Sequence, residues 1–354
     1  MDRVPTPDGT ASAPALTTTG TPASGGHSAG SGGQPPRPGV VLKAVDKDTT
    51  AGVIFGIGAY GLWGLLPLYF FVLQPAGAVE IVANRVVWSL VFCTLLITVT
   101  RSWRVLAAAF RDRTVLGTLS IAAALIAVNW LTYTYGVTTG QAVEASLGYF
   151  INPLVSVLLG VFVLKETLRP LQWAAVGIGF VAVVVLTISY GKLPWIALTL
   201  AFSFGLYGFV KKRIGPKADA VTSLTMETVV LTPLAAATMI FLAVSGTNTL
   251  GTQGPVHFWL LVSSGVITAV PLLFFGASAR RLPMTTIGLL QYFAPVLQFI
   301  VALVVFKESM TLDRWIGFSV VWLALLVLTV DMLALTRRNS VAKKRALAGA
   351  RTGR

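Results

Sequence analysis

From Ala51 to Leu335 the chain alternates between apolar stretches of roughly 20 residues and short connections carrying Gly, Pro or charge, such as "RDR", "KKRIGPKAD" and "RRLP". Wound as a helix, each stretch is long enough to cross a hydrocarbon core of ~30 Å. Ten can be counted, at approximately 51–72, 78–100, 115–137, 142–164, 170–189, 193–211, 221–244, 256–278, 284–306 and 312–335. The pattern predicts an all-α, polytopic membrane protein with ten transmembrane helices.

Composition supports that reading. Of 354 residues, 55% are hydrophobic and 11% charged, and mean hydropathy is +0.78, whereas soluble domains carry about 25% charged residues. The net charge of +14 would suit a nucleic-acid partner if the basic residues shared one solvated face. They sit instead between apolar stretches, so the partner they imply is the lipid bilayer and not nucleic acid. Residues 1–48 are rich in Gly, Ser, Thr, Pro and Ala and predict a disordered cytoplasmic tail without the apolar core of a signal peptide. Insertion is then directed by the first hydrophobic helix. Residues 336–354 form a short basic cytoplasmic tail suited to anionic lipid.

Loop charge sets the orientation. With a cytoplasmic N-terminus the inner loops hold twelve Lys and Arg, among them Arg101, Arg113, Lys165, Arg169 and Lys211, and the outer ones only Lys192, Lys307 and Arg314. The positive-inside rule therefore places both termini in the cytoplasm, which agrees with an even number of spans.

The sequence is also written twice. "NPLVSVLLGVFVLKETLRPLQW" (152–173) returns as "APVLQFIVALVVFKESMTLDRW" (294–315), a shift of 142 that pairs Pro153 with Pro295, Lys165 with Lys307 and Trp173 with Trp315. "AYGLWG" (59–64) returns as "SFGLYG" (203–208) at a shift of 144. The repeats are residues 49–190 and 191–335, five helices each. An odd number of spans forces the second copy to enter the membrane upside down, the inverted-repeat architecture of secondary transporters. Pro153 and Pro295 are expected inside helices, where each frees the carbonyl four residues earlier, on Tyr149 and Gln291. Such backbone is tolerated against protein or a watery cavity, so these prolines are either packing kinks or ligand contacts.

Ionisable side chains in a span cost about 2.5–3.5 kcal/mol on insertion scales and should face a cavity or a partner. Arg85, Asn129 and Glu144 fall in the outer half of the membrane, and an Arg85–Glu144 pair is geometrically easier than Arg85–Glu80. Glu144, Gly148 and Asn152 form one stripe on helix 4. The patch is either a solute-binding or proton-coupling site or a permanent salt bridge between helices 2 and 4. Glu227 has no evident basic partner at its depth, which suits either a proton-carrying carboxyl or a hydrated one. Tyr60, Trp63, Trp130, Tyr133, Tyr149, Tyr207 and Tyr292 recur in the repeated motifs and are candidates to line a pocket, or to serve as belt and core residues. Cys93 lies in an apolar run, His27 in the tail and His257 at a helix end, so neither a disulfide nor a metal site is expected.

"NRVVWS" (84–89), "NWLTYTYGV" (129–137), "EASLGYFINPL" (144–154) and "LAFSFGLYG" (200–208) resemble the drug/metabolite transporter superfamily with two EamA-type repeats, and within it the RarD-like, chloramphenicol-sensitivity branch. The resemblance runs from about Gly52 to Leu333 and omits both tails. It implies a cytoplasmic-membrane permease for a small-molecule solute, a metabolite or drug. The sequence has no phosphate loop G-x-x-x-x-G-K-[ST], so such a transporter would use an ion gradient, protons for example, or the solute's own gradient, without a cofactor. Neither H-E-x-x-H nor G-x-S-x-G is present, which argues against an enzyme. A non-transporting scaffold or receptor is the other alternative. No motif specifies the solute, the direction of movement, the coupling ion or the oligomeric state.

Overall fold

The computed structural model describes residues 38–165, 168–214, 218–279, 281–282, 286–287 and 290–352. Most of the expected N-terminal tail, residues 1–37, lies outside these. The chain divides into a short unit, Met1–Ala44, and the unit Val45–Arg354 to which everything below refers.

The described elements are all helical: α1 Pro38–Gly64, α2 Leu66–Val72, α3 Ala78–Val99, α4 Trp103–Arg111, α5 Arg113–Thr138, α6 Ala142–Leu164, α7 Pro170–Tyr190, α8 Trp195–Ile214, α9 Ala220–Val244, α10 Gly254–Ala279, α11 Phe293–Val304 and α12 Leu312–Thr352. Among the described residues, eight stretches are long and apolar enough to cross a membrane. The expected spans at 193–211 and 284–306 are represented by shorter apolar helices, Trp195–Lys211 and Phe293–Val304. Large apolar side chains such as Phe162, Phe180, Ile188 and Val244 are exposed, as a lipid-facing surface requires.

Local chemistry sets several boundaries. The Asp112 carboxylate accepts from the N–H groups of Thr114 and Val115 at 2.9 and 3.2 Å, capping α5, and Asp219 accepts from Thr222 N–H at 2.8 Å to start α9. Gly191, at φ +64°, closes α7. The expected first span stands as Thr49–Val72, interrupted at Leu65 because Pro67 suits the opening turn of α2, where amides lack partners anyway. Two other sequence expectations need correction. Pro295 likewise stands in the first turn of α11, preceded by a turn at Gln291 and Tyr292, and is not a mid-helix kink; Pro153 does lie inside its helix. The connection at 101–113 contains α4, which buries Leu106 and Ala109 while exposing Trp103 and Val105, the pattern of a helix lying in an interface.

The duplication is visible in the backbone. Helices α3 and α9 begin at Ala78 and Ala220, and α7 and α12 at Pro170 and Leu312, each pair 142 residues apart. Lys165 and Lys307 share a left-handed φ of 55° and 53°. Each of α3, α6 and α7 packs on its own counterpart, α9, α11 and α12, which is what an approximate two-fold axis between the halves produces. The second copy is inverted relative to the first. Glu308, next to Lys307, accepts from the N–H groups of Ala142 and Val143 at 2.6 and 2.9 Å, at the start of α6. Lys165 follows the other end of that helix, 23 residues on, or about 34 Å away.

One packing detail carries the symmetry with the residues exchanged. A Cβ on Gly148 of α6 would lie 2.7 Å from both the Ala197 carbonyl and Leu200 Cβ of α8, so only glycine fits. At the equivalent contact, Gly56 of α1 faces Leu290, where an added Cβ would meet Leu290 Cδ1 at 2.7 Å. Gly148 corresponds to Leu290, and Leu200 to Gly56. Glycine and leucine have traded helices at this contact, with backbone meeting Gly148 and side-chain atoms meeting Gly56.

Candidate functional site

Arg85 is seven residues into α3, about 10 Å along it, and only 4% of its surface is exposed. Its Nε–H donates to Thr268 Oγ1 of α10 at 2.7 Å. The guanidinium lies over the Trp130 ring, 4.3 Å from its centroid, with Phe70 of α2 at 5.9 Å. Trp130 and Asn129 reach the same region from α5. Asn129 Nδ2 donates to Leu200 O at 3.2 Å and Ser203 Oγ at 3.1 Å, and its Oδ1 accepts from Tyr149 O–H at 2.9 Å. Tyr133 packs between Phe70 and Tyr149, with ring centroids at 5.9 and 5.5 Å. Tyr69 donates its O–H to Leu260 O at 2.6 Å. Thr268, Leu260, Leu200 and Ser203 belong to the second repeat, so the cluster straddles the interface between the halves.

The expected Arg85–Glu144 pair does not form. Glu144 Oε1 accepts from Ile196 N–H at 3.0 Å, at the first turn of α8, because a carboxylate at the start of α6 is closer to those unpaired amides than to the ring-covered face of α3. Glu80 similarly accepts from Thr249 and Leu250 N–H at 2.6 and 3.1 Å. With Glu308, three carboxylates on this side each join one repeat to backbone amides of the other. Toward the opposite side, Arg169 and Asp331 pair at 2.7 Å, again across the repeats.

Glu227 was expected to lack a basic partner and has one. Lys211 Nζ reaches Glu227 Oε1 at 2.6 Å, and Tyr207 O–H donates to Oε2 at 3.2 Å. Lys211 is at the end of an apolar helix, and its long stem spans the difference in depth. An aromatic path connects the two clusters: Tyr149–Phe204 at 5.8 Å and Phe204–Tyr207 at 6.0 Å. Tyr60 and Trp63 form a separate group with Phe275, at 5.4–6.2 Å. Asn152 points toward Gly205, and its Oδ1 is buried without a hydrogen-bond partner among the described residues. Gln291 and Tyr292 stay in the turn before α11. Among the described residues, no three His, Cys, Asp or Glu side chains gather as a metal site would need.

Of the residues singled out from the sequence, Arg85, Asn129, Trp130, Tyr133 and Tyr149 come together; Glu144, Glu227 and the Tyr60–Trp63 pair do not join them. Thr268 and Phe70 were missed. A lone threonine in an apolar helix was the available signal for Thr268, whereas nothing distinguishes Phe70 from other apolar residues.

The two repeats are matched by sequence comparison. A model of the EamA-like transporter family fits residues 50–188 and again 193–330. The chain belongs to the EamA-like transporter family. Among its relatives in that family, Protein RarD of Streptomyces exfoliatus is 48% identical over 298 residues, which covers 84% of this chain and 94% of that protein. Protein RarD of Escherichia coli is 39% identical over 295 residues, 83% of this chain and 99% of its own. A solved crystal structure shares the fold, with a TM-score of 0.54 at 18% identity, over 79% of this chain and 98% of that one. The EamA-like chain is thus a multi-pass membrane protein of transporter type.

Proposed function

We propose that this EamA-like protein is a secondary transporter that moves a small metabolite or drug-like solute across the cytoplasmic membrane by alternating access, with both termini in the cytoplasm. The observation that carries the proposal is Arg85: a buried cation, placed where the two inverted halves meet, whose hydrogen bond goes to a neutral hydroxyl of the opposite half. An intramembrane charge is costly unless a function retains it, and a midplane interface between inverted repeats is where transporters hold their cargo.

The rest of the machinery follows from what each contact joins. Glu80, Glu144 and Glu308 hold the halves together on the side where α3 and α6 begin, which is the exterior if the N-terminus is cytoplasmic. Releasing these carboxylate–amide contacts would let one half rock against the other and open Arg85 to that side. The relatives named RarD support a permease, and the absence of a nucleotide-binding loop supports gradient-driven movement.

The test is uptake by the purified, reconstituted protein in sealed vesicles, with and without a pH gradient, using metabolite pools from cells with and without the gene to choose solutes. Saturable uptake that Arg85→Ala removes, with the folded protein still in the bilayer, is the expected result. Normal uptake by that variant would take Arg85 out of the mechanism. No uptake of any solute whose cellular level depends on the gene would reject transport.

A further inference from the structure

Arg85 has five N–H donors and a charge it does not give up at any ordinary pH. One donor is used, by Thr268 Oγ1; among the described residues no carboxylate touches the group, and no other hydrogen bond engages it. Its face is covered by Trp130, which leaves the edge bearing Nη1 and Nη2 as the reactive part. A second buried group on the same rings is also unsatisfied. Among the described residues the Tyr133 hydroxyl has no hydrogen-bond partner although the residue is only 3% exposed, and Tyr133 packs on Phe70, the ring that Arg85 also faces. An unpaired buried hydroxyl is expensive and uncommon, and this one stands beside that shared ring.

We infer that this spot takes the anionic head of the solute: a carboxylate that accepts from the free edge of Arg85 and from Tyr133 O–H, with an adjoining flat apolar body against Phe70 and Tyr149. The inference rests on the transporter reading only in calling the bound molecule cargo. Charge decides the class. A cationic solute would be repelled by the guanidinium, and a neutral one would leave its charge uncompensated in a region of low dielectric. A doubly charged phosphate would leave a net negative charge buried, because among the described residues Arg85 is the one cation facing the spot. A planar carboxylate matches the guanidinium fork with two parallel hydrogen bonds. The surrounding rings bury an apolar or aromatic body and can present their positive edges to the anion.

The experiment uses full-length protein in lipid nanodiscs and follows tryptophan fluorescence, to which Trp130 contributes, on titration with benzoate, benzamide and benzylammonium at neutral pH. Benzoate should bind at least about tenfold more tightly than benzamide, the range expected for a charge-assisted hydrogen bond, and benzylammonium should not bind. Arg85→Gln should abolish the preference. Tyr133→Phe removes a hydroxyl with no protein partner, so it should leave folding intact and weaken benzoate by about fivefold; it decides the matter if Arg85→Gln does not fold. Equal affinities for benzoate and benzamide, a preference that survives Arg85→Gln, unchanged benzoate affinity in Tyr133→Phe, or tightest binding of benzylammonium would each overturn the inference. Exchange of labelled probes across proteoliposomes separates the two readings. Benzoate that binds as described without being exchanged supports the anion site and counts against transport, whereas exchange of benzamide or benzylammonium without benzoate binding supports transport and removes the anion site.

Discussion

The two repeats place opposite charges at the same position. Arg85 and Glu227 are each the eighth residue of their helix, α3 and α9, 142 residues apart, and those helices pack on one another. Around Glu227 the second repeat supplies Lys211 and Tyr207. The first-repeat counterparts of those two, at the 144-residue shift of the opening helices, are Pro67 and Trp63. Among the described residues no carboxylate pairs with Arg85, whose hydrogen bond goes to Thr268. Duplication has conserved the backbone and the helix crossings, while the polar chemistry has diverged: one half holds a satisfied pair, the other a cation left open. A satisfied pair fixes two helices, and an open cation waits for a ligand.

That contrast can be broken at its closed end first. Lys211→Met should cost about 3 kcal/mol, because it leaves Glu227 buried and unpaired, and adding Glu227→Gln should recover most of the loss. Chemical unfolding in detergent measures both; an additive double variant would mean that the pair is not a unit. At the open end, Arg85→Gln should lower transport by about 100-fold, the upper range for a charged hydrogen-bond partner, with an unchanged unfolding midpoint. Glu227→Gln should lower transport less than about tenfold, since the amide still accepts from Lys211. The traded glycines come next. Gly148→Leu should cost about 2 kcal/mol through overpacking against Ala197 and Leu200, and Leu200→Gly in the same chain should recover only part of that loss, because the Ala197 backbone still meets the new Cβ. Ser203→Ala is the mildest change. It removes one of the two acceptors of Asn129 Nδ2 and should cost about 1 kcal/mol with a small loss of transport.

Much of this was legible in the chain because helix spans and an internal repeat are both long-range patterns. A shift of 142 residues already pairs Lys165 with Lys307, and the backbone repeats there down to the sign of φ. Arg85 stood out as an ionisable residue in an apolar run. Its surroundings did not, because which side chains meet depends on how the halves cross: Thr268 is 183 residues away. The Glu144 expectation failed for a related reason. Depth along a helix says which groups share a level, but backbone amides at the start of α8 are invisible to a count of side-chain charges. The charge pattern sets Lys211 in a loop, which hides it as a partner for Glu227, although its stem reaches back along α8 toward α9.

All of these contrasts presuppose that the two halves are inverted. Single cysteines at Lys165 and Lys307, introduced in a chain whose buried Cys93 is replaced by serine, can be challenged with a membrane-impermeant thiol reagent in sealed vesicles of known orientation. The account predicts that the reagent, added to one side only, modifies one of the two positions and spares the other until the vesicles are opened. Modification of both from the same side would contradict it.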